Sequence, residues 1–260
     1  MSGTRKLLLG SVACVACAIA LAASASTALA ADLPTMKGPP PAPVAAPYSW
    51  TGFNVGVQGG YGWGDENDDL STTVLRIPDD HFSANGAIGG AHVGYDQQFG
   101  SLVLGIRGEI DASGLNGSKS GVQTSNSGAC FEGCAVSLSF HNTWQAFLLG
   151  RAGVAFDRWL VYATGGLAVG DDRESVTVTD LNNNRYVWTG AQTKTLTGGA
   201  IGLGAEYAFD EHWRLGAEWR YANFGRGDYS AASTTGFPKV VGYKAGFSEN
   251  LALVDLSYRF

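Results

Sequence analysis

Three features of the 260-residue sequence predict an all-β fold, an eight-stranded antiparallel transmembrane β-barrel with short periplasmic turns and long extracellular loops. After residue 50, apolar residues recur at every second position in segment after segment. The connections between these segments are alternately very short and very long. Aromatic residues gather at both ends of the apolar faces.

Composition sets the frame. Hydrophobic residues make up 45% of the chain and charged residues 15%, too apolar for a disordered polymer. The 37 glycines oppose long helices, because each interior Gly costs about 1 kcal/mol relative to Ala. A formal charge of -6 lacks the basic stripe that nucleic acid requires, so no nucleic-acid partner is expected.

Alternation is clearest at the C-terminal end. Ala252, Val254, Leu256, Tyr258 and Phe260 share one face, and Asp255, Ser257 and Arg259 the other, with Leu253 an apolar exception. Trp213, Leu215, Ala217, Trp219 and Tyr221 oppose Arg214, Glu218 and Arg220. Leu102, Leu104, Ile106 and Ile110 oppose Arg107, Glu109 and Asp111. Trp144, Ala146, Leu148, Ala152 and Val154 oppose Gln145 and Arg151, with Phe147 and Leu149 on the second face.

Eight strands are expected over 51–63, 86–98, 102–112, 142–156, 159–170, 195–209, 212–224 and 248–260. Each is long enough for the roughly 9 to 11 residues of a tilted crossing. The turns 98–102, 156–159 and 209–212 are tight, whereas 64–85, 113–141, 171–194 and 225–247 read as long polar loops. No proline interrupts an expected strand.

Aromatic belts favour a membrane barrel over a soluble sandwich or lipocalin-like barrel. Phe53, Phe99, Phe156, Trp159, Phe209, Trp213, Tyr258 and Phe260 fall near the tight turns. Tyr61, Trp63, Trp144, Tyr221 and Phe224 fall near the long loops. The opposite face carries charges of both signs, which a membrane barrel turns inward.

The first thirty residues read as an export signal. Arg5 and Lys6 precede an apolar run from Leu7 to Ala23, and Ala28 and Ala30 supply the small residues of a cleavage site. A membrane anchor is the weaker reading, since the apolar core is short for a span of about 20 residues. Neither Cys14 nor Cys17 has the aliphatic residue three positions earlier that lipoprotein processing requires. Cleavage after Ala30 leaves 17 - 2 = 15 basic and 23 acidic residues, a formal charge of -8. Residues 31–49 hold six of the eight prolines and read as a semi-rigid periplasmic spacer, a candidate for contact with peptidoglycan. The barrel domain then spans 50–260.

Asp32, Leu33 and Pro34, the proline-rich spacer and the run from Tyr48 to Gly56 (YSWTGFNVG) resemble the alphaproteobacterial outer-membrane immunogenic protein family, small surface-antigen barrels of Brucella and rhizobia. The final Tyr258, Arg259 and Phe260 are similar to the terminal signature read by the barrel-assembly machinery, so Tyr258 and Phe260 are the expected assembly signal. Members often carry Tyr where this chain has Asn54. The resemblance implies an eight-stranded barrel in the cell outer membrane, with an envelope-integrity and surface-antigen role, among outer-membrane lipids and lipopolysaccharide. It brings no catalytic residues and no cofactor.

The candidate functional residues face the lumen. Arg107, Glu109, Arg151, Glu206, Glu218, Arg220 and Asp255 are expected to form an ion-pair network that fills the barrel, with Asp96, Asp111, Arg214 and Arg259 beside them. An eight-stranded barrel is only wide enough for side chains. Two rival readings stay open here. One is a hemin-binding or weakly conducting porin-like barrel, with His81 as the candidate ligand, His92 a lumen candidate, and His141 and His212 near connections. The other is an outer-membrane lipid hydrolase, for which no Ser and His spacing singles out a triad. Gly59-Gly60 and Gly198-Gly199 lack the lysine and helix start of a phosphate loop.

Cys130 and Cys134 remain after export. In an oxidising compartment they are expected to bridge, since a metal site would find only Glu132 as a further nearby ligand. Intact mass of unreduced protein should therefore fall by two hydrogens relative to the reduced chain. Two freely alkylated thiols in fresh protein would rule the bridge out.

Overall fold

The computed structural model describes residues 48–69, 81–123, 133–181, 186–233 and 240–260. The export signal, residues 31–47 of the spacer, and Cys130 lie outside them. Among the described residues every regular element is a strand. In chain order these are β1 (Gly52–Asp69), β2 (His81–Phe99), β3 (Leu102–Ser113), β4 (Asn116–Gln123), β5 (Cys134–His141), β6 (Trp144–Phe156), β7 (Trp159–Asp180), β8 (Tyr186–Ala208), β9 (Trp213–Ser233) and β10 (Val240–Arg259).

All pairings are antiparallel, and they run β1–β2–β3–β6–β7–β8–β9–β10 and back to β1. That circuit has eight members. The other two strands, β4 and β5, continue β3 and β6 upward, past breaks at Gly114-Leu115 and Asn142-Thr143. β4 takes over the pairing with β2 at Asn85–Asn116, and β5 pairs with β7 from His141–Arg173 to Cys134–Asp180.

Backbone bonds carry the ladder across the breaks: Ser113 N donates to Thr143 O at 2.9 Å, and Asn142 N to Leu115 O at 3.0 Å. Asp171 on β7 secures the break between β5 and β6. Its Oδ1 accepts from Thr143 N at 2.8 Å and Trp144 N at 2.9 Å, its Oδ2 accepts from the Thr143 hydroxyl, and its carbonyl accepts from the Asn142 amide.

The turns at one end are as short as expected. Asp157 takes the left-handed φ of 54° in the turn after β6, and Gly100 does so at 64° in the turn after β2. Both are residue types that tolerate this region. In the turn between β8 and β9, the backbone N–H groups of Trp213 and His212 donate to Asp210 and hold its carboxyl below the usual carboxylate range.

The long loops are a correction. Strand continues through 64–69 and 81–85, 116–123 and 134–141, 171–180 and 186–194, and 225–233 and 240–247, so the barrel continues far beyond the length of a membrane crossing. β7 shows where one environment ends. Its outward residues are apolar from Trp159 through Val161, Ala163, Gly165 and Leu167 to Val169, and then, past the buried Asp171, become Arg173, Ser175, Thr177 and Thr179. The apolar stretch covers roughly 33 Å of strand at about 3.3 Å per residue. Tilted by about 40°, that is close to the ~25 Å apolar band of an outer-membrane barrel.

Above this level the inward positions invert as well. Phe140, Val176, Val178, Trp188, Leu196, Tyr229 and Phe247 form an apolar core inside a polar wall. Phe140 and Phe247 pack as a tilted pair with centroids 4.5 Å apart. Phe224, expected in the outer girdle, belongs to this core at 3% exposure, because it keeps the inward phase of Arg214, Glu218 and Arg220 and the register shifts opposite Gly225 only after it. Tyr61, Trp63 and Trp144 do project outward at the upper edge of the apolar band.

Removing the Asp171 carboxylate leaves the N–H groups of Thr143 and Trp144 without their partner. Asp171→Ala should destabilise the refolded barrel by about 1–3 kcal/mol, read as a lower melting temperature of the heat-modifiable gel band. An unchanged transition would show that the breaks need no such fastening.

Candidate functional site: the barrel interior

Alternation turns the charged positions of each strand inward. Arg107 and Glu109 come from β3, Arg151 from β6, Glu206 from β8, Glu218 and Arg220 from β9, and Asp255 from β10. All seven are 5% exposed or less. Asp96, Asp111 and Arg214 join them, whereas Arg259 stands at the rim.

The side chains form two tiers. In the lower, Glu206 accepts from Arg107 Nη2 at 2.7 Å and from both terminal nitrogens of Arg151. Asp96 Oδ2 accepts from Arg151 Nη2 at 3.2 Å, Arg214 Nη1 at 3.1 Å and Asn54 Nδ2 at 3.0 Å. In the upper tier Arg220 grips Glu109 with both terminal nitrogens, at 2.6 and 3.0 Å, and its Nε donates to Glu218 Oε1 at 2.8 Å. Tyr162 and Thr164 hydroxyls donate to the two Glu218 oxygens, each at 3.1 Å. Gln58 Nε2 donates to Glu109 at 3.1 Å and Asp111 at 2.7 Å.

Rings cover the guanidinium planes. Arg151 lies 4.5 Å from the Tyr162 centroid and Arg220 4.7 Å from that of Phe147. Arg suits this place because its planar fork binds carboxylates bidentately and still stacks on a ring. The glycines opposite make room. A Cβ on Gly105 would lie 2.2 Å from Asp96 Oδ1, and one on Gly216 2.2 Å from Asp255 Oδ1. Asp255 enters the cluster on different terms from the other six. Its Oδ2 has no hydrogen-bond partner, and its charged neighbours are the carboxylates of Glu206 and Glu218 and the guanidinium groups of Arg107 and Arg151.

The sequence did not single out the base of the barrel as a site. Trp50 is fully buried there, packed with Val103, Leu160, Tyr162 and Ala208. Its backbone N–H donates to Gln98 Oε1 at 2.8 Å and its indole N–H to Asp157 O at 3.3 Å. Arg214 Nη2 donates to the Trp50 carbonyl at 3.1 Å, and Arg214 Nε to the Tyr48 hydroxyl at 2.9 Å. Arg259 donates to the Ser49 and Thr51 carbonyls at 2.7 and 3.1 Å. Tyr48 and Ser49, assigned above to the spacer, are thus fastened into the barrel mouth. An aromatic followed by the strand-forming TGFNV run was the available signal.

The histidines are dispersed. His92 faces the lumen at 4% exposure, and neither ring nitrogen has a hydrogen-bond partner, so it activates no neighbouring hydroxyl. His141 is exposed on the outer wall, and His212 stacks on Tyr258 at the lower rim. His81 begins β2, but its side chain lies outside the described part. Among the described residues no three His, Cys, Asp or Glu side chains converge as a metal site. Cys134 is disulfide-bonded and fully buried at the start of β5.

The 31 kDa outer-membrane immunogenic protein of Brucella melitensis is similar to this chain, 31% identical over 218 residues that cover 78% of this chain and 83% of that protein. The 22 kDa outer membrane protein of Rhizobium leguminosarum bv. viciae is 26% identical over 219 residues, covering 84% of this chain and 82% of that protein. Among solved structures, the outer membrane protein OprG from Pseudomonas aeruginosa is similar at 13% identity and a TM-score of 0.47, over 81% of this chain and 96% of that chain. Residues 13–260 match the family described as the outer membrane protein beta-barrel domain. With apolar residues facing lipid, charges facing inward and the family matched over nearly its whole length, the chain belongs to the outer-membrane β-barrel proteins.

Proposed function

We propose that this protein is a closed and filled barrel that supports the envelope structurally and presents a surface antigen, without catalysing a reaction. The filled interior is the observation that carries this reading. Trp50 occupies the lower mouth, two tiers of arginine and carboxylate lie above it, and an apolar core follows. Solutes need a water-filled path, which barrels provide at about 16 strands and not at eight. The Brucella relatives are named immunogenic, and a rigid wall standing above the membrane is a fitting epitope surface. In this reading residues 1–30 direct export and 31–47 lie in the periplasm, beside peptidoglycan. Tyr258 and Phe260 present the chain to the barrel-assembly machinery. Phe260 suits that role, since it is 72% exposed and its N–H donates to Phe53 O across the β1–β10 seam.

Planar-bilayer recording of purified monomer tests the proposal. No large, stable conductance is expected from the wild type or from Arg151→Ala. That variant should instead lower stability by about 3–5 kcal/mol, because Glu206 and Asp96 lose a buried partner. Reproducible channels whose selectivity shifts in Arg151→Ala would replace the filled barrel with a conduit.

Asp255 gives a prediction of opposite sign. Asp255→Asn removes a buried carboxylate whose Oδ2 has no hydrogen-bond partner and which faces Glu206 and Glu218 as well as Arg107 and Arg151. Its melting temperature should equal or exceed that of the wild type, and a marked fall would show that the carboxylate is paired in solution.

A further inference from the structure

The outer wall above the lipid band is an ordered field of hydroxyls. Cross-strand register places Ser118, Ser139 and Ser175 in one row over β4, β5 and β7. One step higher, Ser120, Ser137, Thr177 and Thr189 form a second row that reaches β8. Neighbours within a row are about 5 Å apart and successive rows about 7 Å apart. Below both rows, next to the girdle residue Trp144, the exposed His141 and Arg173 are direct cross-strand partners. No outward residue of the two hydroxyl rows is charged. Higher still, Val122, Ala135 and Thr179 join Ser120, Ser137 and Thr177 around a shallow trough of about 350 Å³, at the small end of the ~300–1,000 Å³ of ligand sites.

We propose that this face seats the phosphorylated saccharide headgroup of the outer-leaflet glycolipid, with Arg173 and His141 at the phosphate and the hydroxyl rows and trough against the sugar. The inference rests on the outer-membrane placement of the barrel and not on the closed lumen. Continuity with the lipid-facing band is the first argument. On β7 the outward series runs from Val169, past Asp171, whose buried carboxylate is turned to Thr143 and Trp144, to Arg173 and on into Ser175 and Thr177, so acyl chains beside Val169 bring their headgroups to Arg173.

Chemistry is the second argument. A guanidinium binds phosphate oxygens with paired N–H groups, and a hydroxyl both donates and accepts, as sugar hydroxyls require. A protein partner fits less well, because interface cores favour aromatic anchors and are depleted in Ser, and these rows contain no aromatic residue.

The test is retention of glycolipid by the refolded full-length barrel, with heat-modifiable migration confirming assembly of each variant. Lipopolysaccharide bearing core phosphates should be retained saturably. Arg173→Glu should weaken retention by roughly tenfold, since it replaces attraction by repulsion at a half-screened site. Thr177→Trp should weaken it by filling the trough, and Ser137→Trp serves if that variant fails to assemble. Phosphatidylglycerol vesicles of matched charge should not compete. Unchanged retention in the Arg173 and trough variants, or full competition by phosphatidylglycerol, would overturn the proposal. So would saturable capture of a second copy of the chain through the same residues. Channel or catalytic activity would overturn the filled-barrel function and leave this assay untouched.

Discussion

A backbone crossing lipid has no water to satisfy its N–H and C=O groups, and each one left unmet costs several kcal/mol. The ladder must therefore close on itself, and it does so along the seam from Asn54–Arg259 to Asp69–Lys244. Closure fixes everything else about the side chains. Every strand has one face toward the barrel axis and one away from it, and the phase of alternation set at the seam propagates around all eight staves. An interior is thereby created that has to be filled by whatever the inward positions supply.

Those positions supply charge, and the structure makes buried charge tolerable by pairing and by geometry. Each of Arg107, Arg151, Arg214 and Arg220 meets at least one carboxylate within 3.2 Å. Removing one partner strands the other, which is why such a network resists piecemeal change more strongly than its net contribution to stability suggests. Small residues are the complement of large ones here. Gly105 and Gly216 are as necessary to the network as the arginines, because a Cβ at either place would collide with a carboxylate oxygen.

The same strands then solve a different problem above the membrane. Water replaces lipid outside, so the outer face turns polar, and the inner face is free to become an ordinary apolar core. β7 carries the whole transition in one unbroken run: Leu160, Tyr162 and Thr164 lie inward below, Asp172 and Glu174 at the crossover, and Val176 and Val178 above. Two staves make the change across a break, β3 to β4 and β5 to β6, and at the second Asp171 supplies the acceptor for the N–H groups of Thr143 and Trp144.

Alternation determined the crossing segments, because lipid outside and charge inside give the period-two signal its greatest contrast. It also placed Arg107, Glu109, Arg151, Glu206, Glu218, Arg220 and Asp255 on one side. The upper wall reads as loop in the sequence although AVSLSF (135–140) and SVTVTD (175–180) alternate just as strictly. Their polar half is Ser and Thr, residues equally at home in turns, and so the contrast was weak. Which carboxylate meets which guanidinium was decided only by the tertiary structure. Alternation gives a residue its side of the wall, but its height depends on strand tilt and stagger, which closure sets for all strands together. For that reason Asp255 shares a face with Arg151 in sequence yet is left without the hydrogen bonds that Glu206 receives, and Trp50, at the edge of a proline-rich run, became the stopper of the lower mouth.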